Sequence, residues 1–131
     1  MKASIIAIAI VMAPIGPDPD AVLACIRQVE GVTNPARRGP AGELGFYRIT
    51  PEVWAENTKQ PFRLCATDPY LEIAVARKHI RRLAQGIQAA GETVTPYRLA
   101  LAWNAGLSAT VDDTAPRRAR DYARRVVNLL P

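Results

Sequence analysis

Apolar residues recur at helical spacing soon after residue 17, and this pattern predicts an amphipathic helix. Asp18 and Pro19 are typical of a helix N-terminus, the first as the N-cap and the second in the first turn. Gly31 is typical of a residue that ends a helix. Glu30 is therefore predicted in the last turn, beside an apolar face whose members fall at i, i+3, i+4 and i+7: Val22, Cys25, Ile26 and Val29.

A capping residue followed by proline begins three further segments with helical patterning. Thr50-Pro51 predicts a helix to about Lys59, and Asp68-Pro69 predicts the longest one, to about Ala90 with Gly91 as its stop. Thr95-Pro96 predicts a helix to about Ala105, and Pro116 leads into the last one. The longest helix carries a stripe that we expect in the core: Ile73, Ala76, Ile80, Leu83 and Ile87.

Only the segment from Gly42 to Thr50 has strand character, because Phe46, Tyr47 and Ile49 stand there among glycines. It predicts a small β-hairpin. A chain of 131 residues has room for one domain with a hydrophobic core but hardly for two. We therefore predict a single, mainly α-helical (α+β) domain with one short β element.

The N-terminus has the pattern of a secretory signal peptide. Met1-Lys2 is followed by an apolar run from Ala3 to Ala13, which is shorter than the roughly 20 residues that span a bilayer. We predict a signal peptide over residues 1–17, a mature domain over 18–131, and export to the periplasm or the extracellular space without stable membrane insertion. The alternative is a buried or interfacial N-terminal helix on a cytosolic protein.

Two cysteines, Cys25 and Cys65, form an even count that is consistent with one disulfide in an oxidising compartment. The alternative is two separate buried thiols that act as small apolar side chains. Export and a disulfide would support each other.

The amino-acid composition limits which partners, cofactors and catalytic groups are expected. The net charge of +5 comes mostly from arginine and suggests an acidic partner such as a cell-wall polymer, nucleic acid or anionic lipid. A single histidine, His79, and two cysteines fall short of a metal site, and no cofactor is expected. A Cys–His catalytic pair is disfavoured because both cysteines look paired or buried. The loop from Gly39 to Gly42 lacks the ending of a phosphate-binding loop.

Carboxylate chemistry remains, with Glu30 as the first candidate and Glu43 as the second. The predicted helix C-terminus disfavours a carboxylate at Glu30, and partial burial would add a desolvation penalty, so both effects would raise its pKa. A carboxyl that is protonated near neutral pH suits a general acid. The alternative is a solvated glutamate that merely ends a helix. Asp112 and Asp113 are interpreted as turn or capping residues, and Asp68 as an N-cap.

Five motifs, taken in order, resemble those of the lysozyme-like domain of lytic transglycosylases, which cleave peptidoglycan. They are the helix ending in Val29-Glu30-Gly31, the segment from Gly42 to Ile49, the Asp68-Pro69 helix, Ala102-Trp103-Asn104-Ala105-Gly106, and Asp121-Tyr122-Ala123. The resemblance covers about Ala21 to Leu130. The chain departs from the family at Gly31 for serine, Arg48 for glutamine, and Glu72, Ala76 and His79 in the long helix. It is therefore similar to a divergent branch.

The resemblance implies a lysozyme-like fold with the hairpin beside an active-site cleft. It also implies that Glu30 acts as the single acid and base, protonating the bond between N-acetylmuramic acid and N-acetylglucosamine and then activating the muramyl 6-hydroxyl to give a 1,6-anhydro product. Asn104 would bind sugar or backbone near the cleft, Tyr122 would orient Glu30, and Tyr47 and Trp103 would line the sugar groove. The implied partner is the peptidoglycan glycan strand; a cell-envelope secretion machine and a phage-derived machine are two settings that stay open.

Three alternatives stay open. Glu43 would serve as the base of an inverting hydrolase if it faces Glu30 with room for water, although a loop ion pair with Arg37 or Arg38 is the plainer interpretation. A non-catalytic lysozyme-fold protein would bind glycan or act as a scaffold. A nucleic-acid binder is not expected in an exported protein, but it would use the clustered arginines of the last helix: Arg117, Arg118, Arg120, Arg124 and Arg125.

Overall fold

The structure, a computed structural model, describes residues 17–131, and within them the chain forms seven helices. They are α1 (Pro19–Glu30), α2 (Pro51–Asn57), α3 (Leu64–Thr67), α4 (Pro69–Ala89), α5 (Pro96–Ala105), α6 (Leu107–Val111) and α7 (Arg117–Asn128). The predicted mainly helical class is confirmed. The predicted signal peptide lies outside the described residues, apart from Pro17. Between residues 17 and 131 no helix has the length and apolarity to cross a membrane.

The predicted capping residues set the starts of four helices. The side chains of Asp18, Thr50, Asp68 and Thr95 each accept a hydrogen bond from a backbone N–H in the first turn, and proline follows each of them. Gly31, with φ of 59°, ends α1 in the left-handed conformation. The two shortest helices, α3 and α6, were not predicted because neither is long enough to show a period.

The core lies where α5 meets α1, α4 and α7. Small buried side chains on α5 and α7 let these two helices approach closely: Ala100, Ala102, Ala119 and Ala123. The long helix α4 buries Val75, Ala76, Ile80, Leu83 and Ile87, while Ile73 is only partly buried. This packing brings the C-terminal end of α1 beside the middle of α7.

The predicted β-hairpin between Gly42 and Thr50 is wrong. In the described residues this segment contains only an isolated antiparallel bridge between Leu44 and Ile49, whose N–H groups and carbonyls pair at 3.0 and 2.9 Å. A tight turn separates the two residues, with positive φ at Gly45 (82°) and Arg48 (55°). Because Leu44, Tyr47 and Ile49 are all buried, the side chains do not alternate between core and solvent as strand residues would.

The predicted disulfide is also absent. Cys25 and Cys65 are free and buried, in agreement with the alternative of two separate thiols. The Cys65 Sγ donates a hydrogen bond to the Leu44 carbonyl at 3.3 Å, so the thiol supports the turn instead of a cross-link. Burial raises the pKa of Cys65 to about 12, and the nearby Glu72 carboxylate adds to this shift.

Candidate active site around Glu30

Glu30 is the last residue of α1, and its side chain is half-buried at the edge of a groove. The Tyr122 hydroxyl on α7 donates a hydrogen bond to Glu30 Oε1 at 3.0 Å. Tyr122 is itself only 5% exposed, so its ring is fixed by the core. The two residues are 92 positions apart in the sequence, and the packing of α1 on α7 joins them.

Burial raises the pKa of Glu30 above its ordinary value because the charged form loses hydration. The hydrogen bond from Tyr122 lowers this pKa, as does the Arg48 guanidinium. Glu43 raises it again and Arg125 lowers it, but burial is the largest effect. Burial and the Glu30 carboxylate also raise the pKa of Tyr122, so its hydroxyl keeps its proton and remains a donor. A raised pKa is a property that a general acid requires.

Four of the predicted site residues line one cavity of about 300 Å³: Glu30, Glu43, Trp103 and Asn104. They come from α1, the turn segment and the C-terminal end of α5. The other five lining residues were not predicted to belong to this site: Pro40, Ala41, Arg48, Thr50 and Arg118. Of the α7 arginines, Arg118 thus faces this cavity, whereas Arg117 and Arg124 pair with Asp121.

Two larger hollows each share lining residues with this cavity. One, of about 570 Å³, shares Thr50, Trp103 and Asn104 with it and extends along α4 and α5. The other, of about 700 Å³, shares Glu30, Pro40 and Arg48 with it and extends over the loop that follows α1. We call these three hollows, which are linked by shared lining residues, the groove; Glu30 lines two of them. Such a groove suits an extended ligand.

Glu43 is held within its own loop. Its carboxylate lies 3.8 Å from the Arg48 guanidinium and accepts a hydrogen bond from the Ala41 N–H. The predicted alternative of a loop ion pair is thus correct in kind but wrong in partner, since Arg48 replaces Arg37 or Arg38. Arg48 also donates to the Arg37 carbonyl at 2.9 Å.

Trp103 and Asn104 form the wall of this cavity at the C-terminal end of α5. The Trp103 ring is half-buried and meets the His79 ring edge-on, with 5.3 Å between centroids. The Asn104 side chain is exposed toward the groove. Burial lowers the pKa of His79, so the ring is kept neutral beside Trp103.

Tyr47 does not have the groove position that the sequence predicted. It is 5% exposed and belongs to the core, because the turn at Gly45 directs this side chain inward together with Leu44 and Ile49. Its backbone N–H contributes to the site indirectly, because it donates a hydrogen bond to Glu72 that holds the turn carrying Arg48.

Glu72 stabilises that turn, and it was not predicted as a site residue. Its side chain is 1% exposed, and Glu72 Oε2 accepts a hydrogen bond from the Tyr47 N–H at 2.9 Å. Burial raises the pKa of this carboxyl, while the backbone N–H groups of Tyr47 and Phe46 lower it. One signal was available: Glu72 lies one helical turn before Ala76 and thus on the buried face of α4.

Within residues 17–131 no cluster of three or more histidine, cysteine, aspartate or glutamate side chains is placed to hold a metal ion. Asp112 and Asp113 are exposed, away from Glu30. Comparisons of the chain with protein-family models, curated proteins and solved structures find no significant match.

Proposed function

We propose that this protein is a lytic transglycosylase with a divergent lysozyme-like domain, and that it cleaves the β-1,4 bond between N-acetylmuramic acid and N-acetylglucosamine in peptidoglycan. The observation that carries the proposal is Glu30: a half-buried carboxyl of raised pKa, fixed by Tyr122 at 3.0 Å within an extended groove. The sequence motifs around Asn104 and Tyr122 point to the same residues.

In the proposed reaction, protonated Glu30 donates its proton to the glycosidic oxygen as the bond to C1 breaks. The acetamido group of the muramyl sugar stabilises the developing positive charge, which makes this one of the substrate-assisted exceptions to the two-carboxylate scheme. The Glu30 carboxylate then takes the proton of the muramyl 6-hydroxyl, whose oxygen attacks C1 and closes the 1,6-anhydro ring. Tyr122 keeps the same carboxylate oxygen in position through both steps.

Substitution of Glu30 tests this proposal. Glu30→Gln keeps the size and removes the transferable proton, so we expect turnover of purified peptidoglycan to fall at least about 100-fold, the usual range for a general acid. Glu52→Gln, at an exposed position of α2, is the matched control and should retain activity. Unchanged circular dichroism would show that the fold is intact. Retained turnover in Glu30→Gln would remove this residue from the mechanism.

An inverting hydrolase is the second candidate, because Glu43 lines the same cavity as Glu30. Its ion pair with Arg48 and its bond to the Ala41 N–H occupy the carboxylate that would have to activate water. We therefore favour the transglycosylase. Fragment masses decide between them: anhydro products are lighter by one water than hydrolytic products, and Glu43→Gln should retain activity only in the transglycosylase.

The proposed compartment is the periplasm or the extracellular space, where peptidoglycan is found. Nucleic acid is not the proposed partner, because two of the five α7 arginines are paired with Asp121 and a third lines the groove. Peptidoglycan binding by the native protein without turnover would instead indicate a glycan-binding or scaffold protein.

A further inference from the structure

The 700 Å³ hollow beside Glu30 is lined by three arginines. Arg37 and Arg38 lie on the loop that follows α1, and Arg48 lies at the end of the turn. The rest of the lining is the chain from Gly31 to Asn34 and from Gly39 to Pro40, and its only carboxylate is Glu30. We call this hollow the arginine pocket.

Two of these arginines have no carboxylate partner. Among residues 17–131, no salt bridge reaches Arg37 or Arg38, and residues 1–16 contain no aspartate or glutamate. Arg38 donates only a long hydrogen bond, 3.5 Å, to the Gly42 carbonyl. Arg48 is partly neutralised by Glu43 at 3.8 Å. The pocket therefore carries an excess of positive charge.

The fold accounts for only part of this arrangement: the Arg38 guanidinium lies 5.8 Å from the centre of the Phe62 ring, a long cation–π contact. Arg37 and Arg38 are exposed, and the partial burial of Arg48 is explained by its contacts with Glu43 and the Arg37 carbonyl. Like charges along one concave surface repel one another, and the same field attracts an anion. Guanidinium groups match the planar geometry of a carboxylate and bind it through paired N–H donors.

The position of the pocket indicates which anion it receives. It begins at Glu30, so a group that enters it is attached at or next to the sugar whose bond is cleaved. Muramyl sugars carry a peptide with free carboxylates, and about 700 Å³ lies within the range of pockets that enclose ligands of that size. We propose that the arginine pocket binds the carboxylate-bearing peptide of the muramyl sugar at the cleaved bond, an inference that rests on the proposed function.

Binding measured in the Glu30→Gln protein tests this inference without consuming the ligand. Two probes are compared by calorimetry: a disaccharide that carries the peptide with free carboxylates, and the same compound with those carboxylates amidated. We expect the free form to bind about tenfold tighter, as charge-assisted hydrogen bonds would give. Adding Arg37→Gln and Arg38→Gln together should remove that preference.

The matched control is Arg63→Gln with Arg81→Gln, which removes two positive charges at exposed positions outside the pocket and should keep the preference. Equal binding of the two probes, or the same loss in the control, would overturn the inference. Tighter binding of poly(glycerol phosphate) than of the free-carboxylate probe would also overturn it. Because no outcome requires turnover, failure here is distinguishable from failure of the proposed reaction.

Discussion

The hydrogen bond from Tyr122 to Glu30 and the burial of Glu30 act on the carboxyl in opposite directions. Burial raises the pKa of Glu30 by disfavouring the anion, whereas the hydroxyl at 3.0 Å stabilises the anion and lowers this pKa. Burial is the larger effect. In the proposed reaction the same group must donate a proton and then accept one, and a donor that stabilises the anion lowers the cost of the first step.

Removing that hydroxyl should therefore raise the pKa of Glu30 further. We expect Tyr122→Phe to move the alkaline limb of the pH–rate profile to higher pH, to lower the rate, and to lower the free energy of unfolding by about 1 kcal/mol. Peptidoglycan turnover measured across pH would check the limb. Tyr70→Phe, which removes a hydroxyl from a side chain that is 86% exposed, is the control. A limb that stays in place, or moves to lower pH, would contradict this account.

Part of the candidate site could be predicted from residue chemistry and from the order of the motifs in the sequence. Glu30 was selected from its place at the end of an amphipathic helix, and Asn104, Trp103 and Tyr122 from motif order; the structure brings these four together. Arg48 was named only as a departure from the family, and Arg118 only in the nucleic-acid alternative. Neither was placed beside Glu30, because arginine is common on this chain and its position in the groove depends on long-range packing. Tyr47 was misplaced because the turn before it was taken for a strand.

At the level of secondary structure, the starts of four helices could be predicted from sequence, but the turn between Gly42 and Thr50 could not. An N-cap with a following proline is a local signal, and α1, α2, α4 and α5 begin where it stands. The segment from Gly42 to Thr50 is rich in aromatic and β-branched residues, which favour strands. Its conformation is instead fixed by two hydrogen bonds: the Tyr47 N–H donates to Glu72 on α4, and the Cys65 thiol on α3 donates to the Leu44 carbonyl. Neither contact is visible in the local sequence.

The turn depends on the absence of a side chain at Gly45. A methyl group there would overlap Glu72 Oε2 and approach the Cys65 carbonyl oxygen to 2.9 Å, and the φ of 82° disfavours any other residue. The strained φ costs about 1–2 kcal/mol and the overlap about 1–3 kcal/mol, so Gly45→Ala should lower the free energy of unfolding by about 3 kcal/mol. Urea denaturation would measure the loss.

Gly91→Ala separates these two penalties. Gly91 has nearly the same φ, 81°, but nothing lies within 4 Å of an added methyl group, so only the conformational cost of about 1 kcal/mol is expected. If the two variants lost equal stability, close packing of Gly45 against Glu72 would be refuted as the reason for glycine in this turn.

At the scale of the whole molecule, side chains with shifted pKa values make the free energy of unfolding depend on pH. Burial raises the pKa values of Glu30 and Glu72 and lowers that of His79. Where the folded state binds more protons than the unfolded state, stability falls as pH rises, and this holds for the two glutamates above their ordinary pKa of 4.5. For His79 the sign is opposite: stability rises with pH toward its ordinary pKa of 6.5. The dependence of stability on pH is therefore a sum of opposing contributions from these side chains.

Glu72→Gln isolates one contribution, because the other groups are common to both proteins. Below pH 4.5, Glu72 is protonated in the folded and unfolded states alike, and the stability it contributes is fully present. As pH rises through its raised folded pKa, that stability is lost in the native protein but not in the variant. We expect the difference in unfolding free energy, native minus variant, to decrease as pH rises above 4.5 and to level off above the folded pKa of Glu72 in urea titrations. Glu52→Gln, at an exposed position, should give a much flatter difference. A difference that increases with pH would mean that the ionised Glu72 carboxylate, which accepts the Tyr47 N–H, is favoured over its buried acid form.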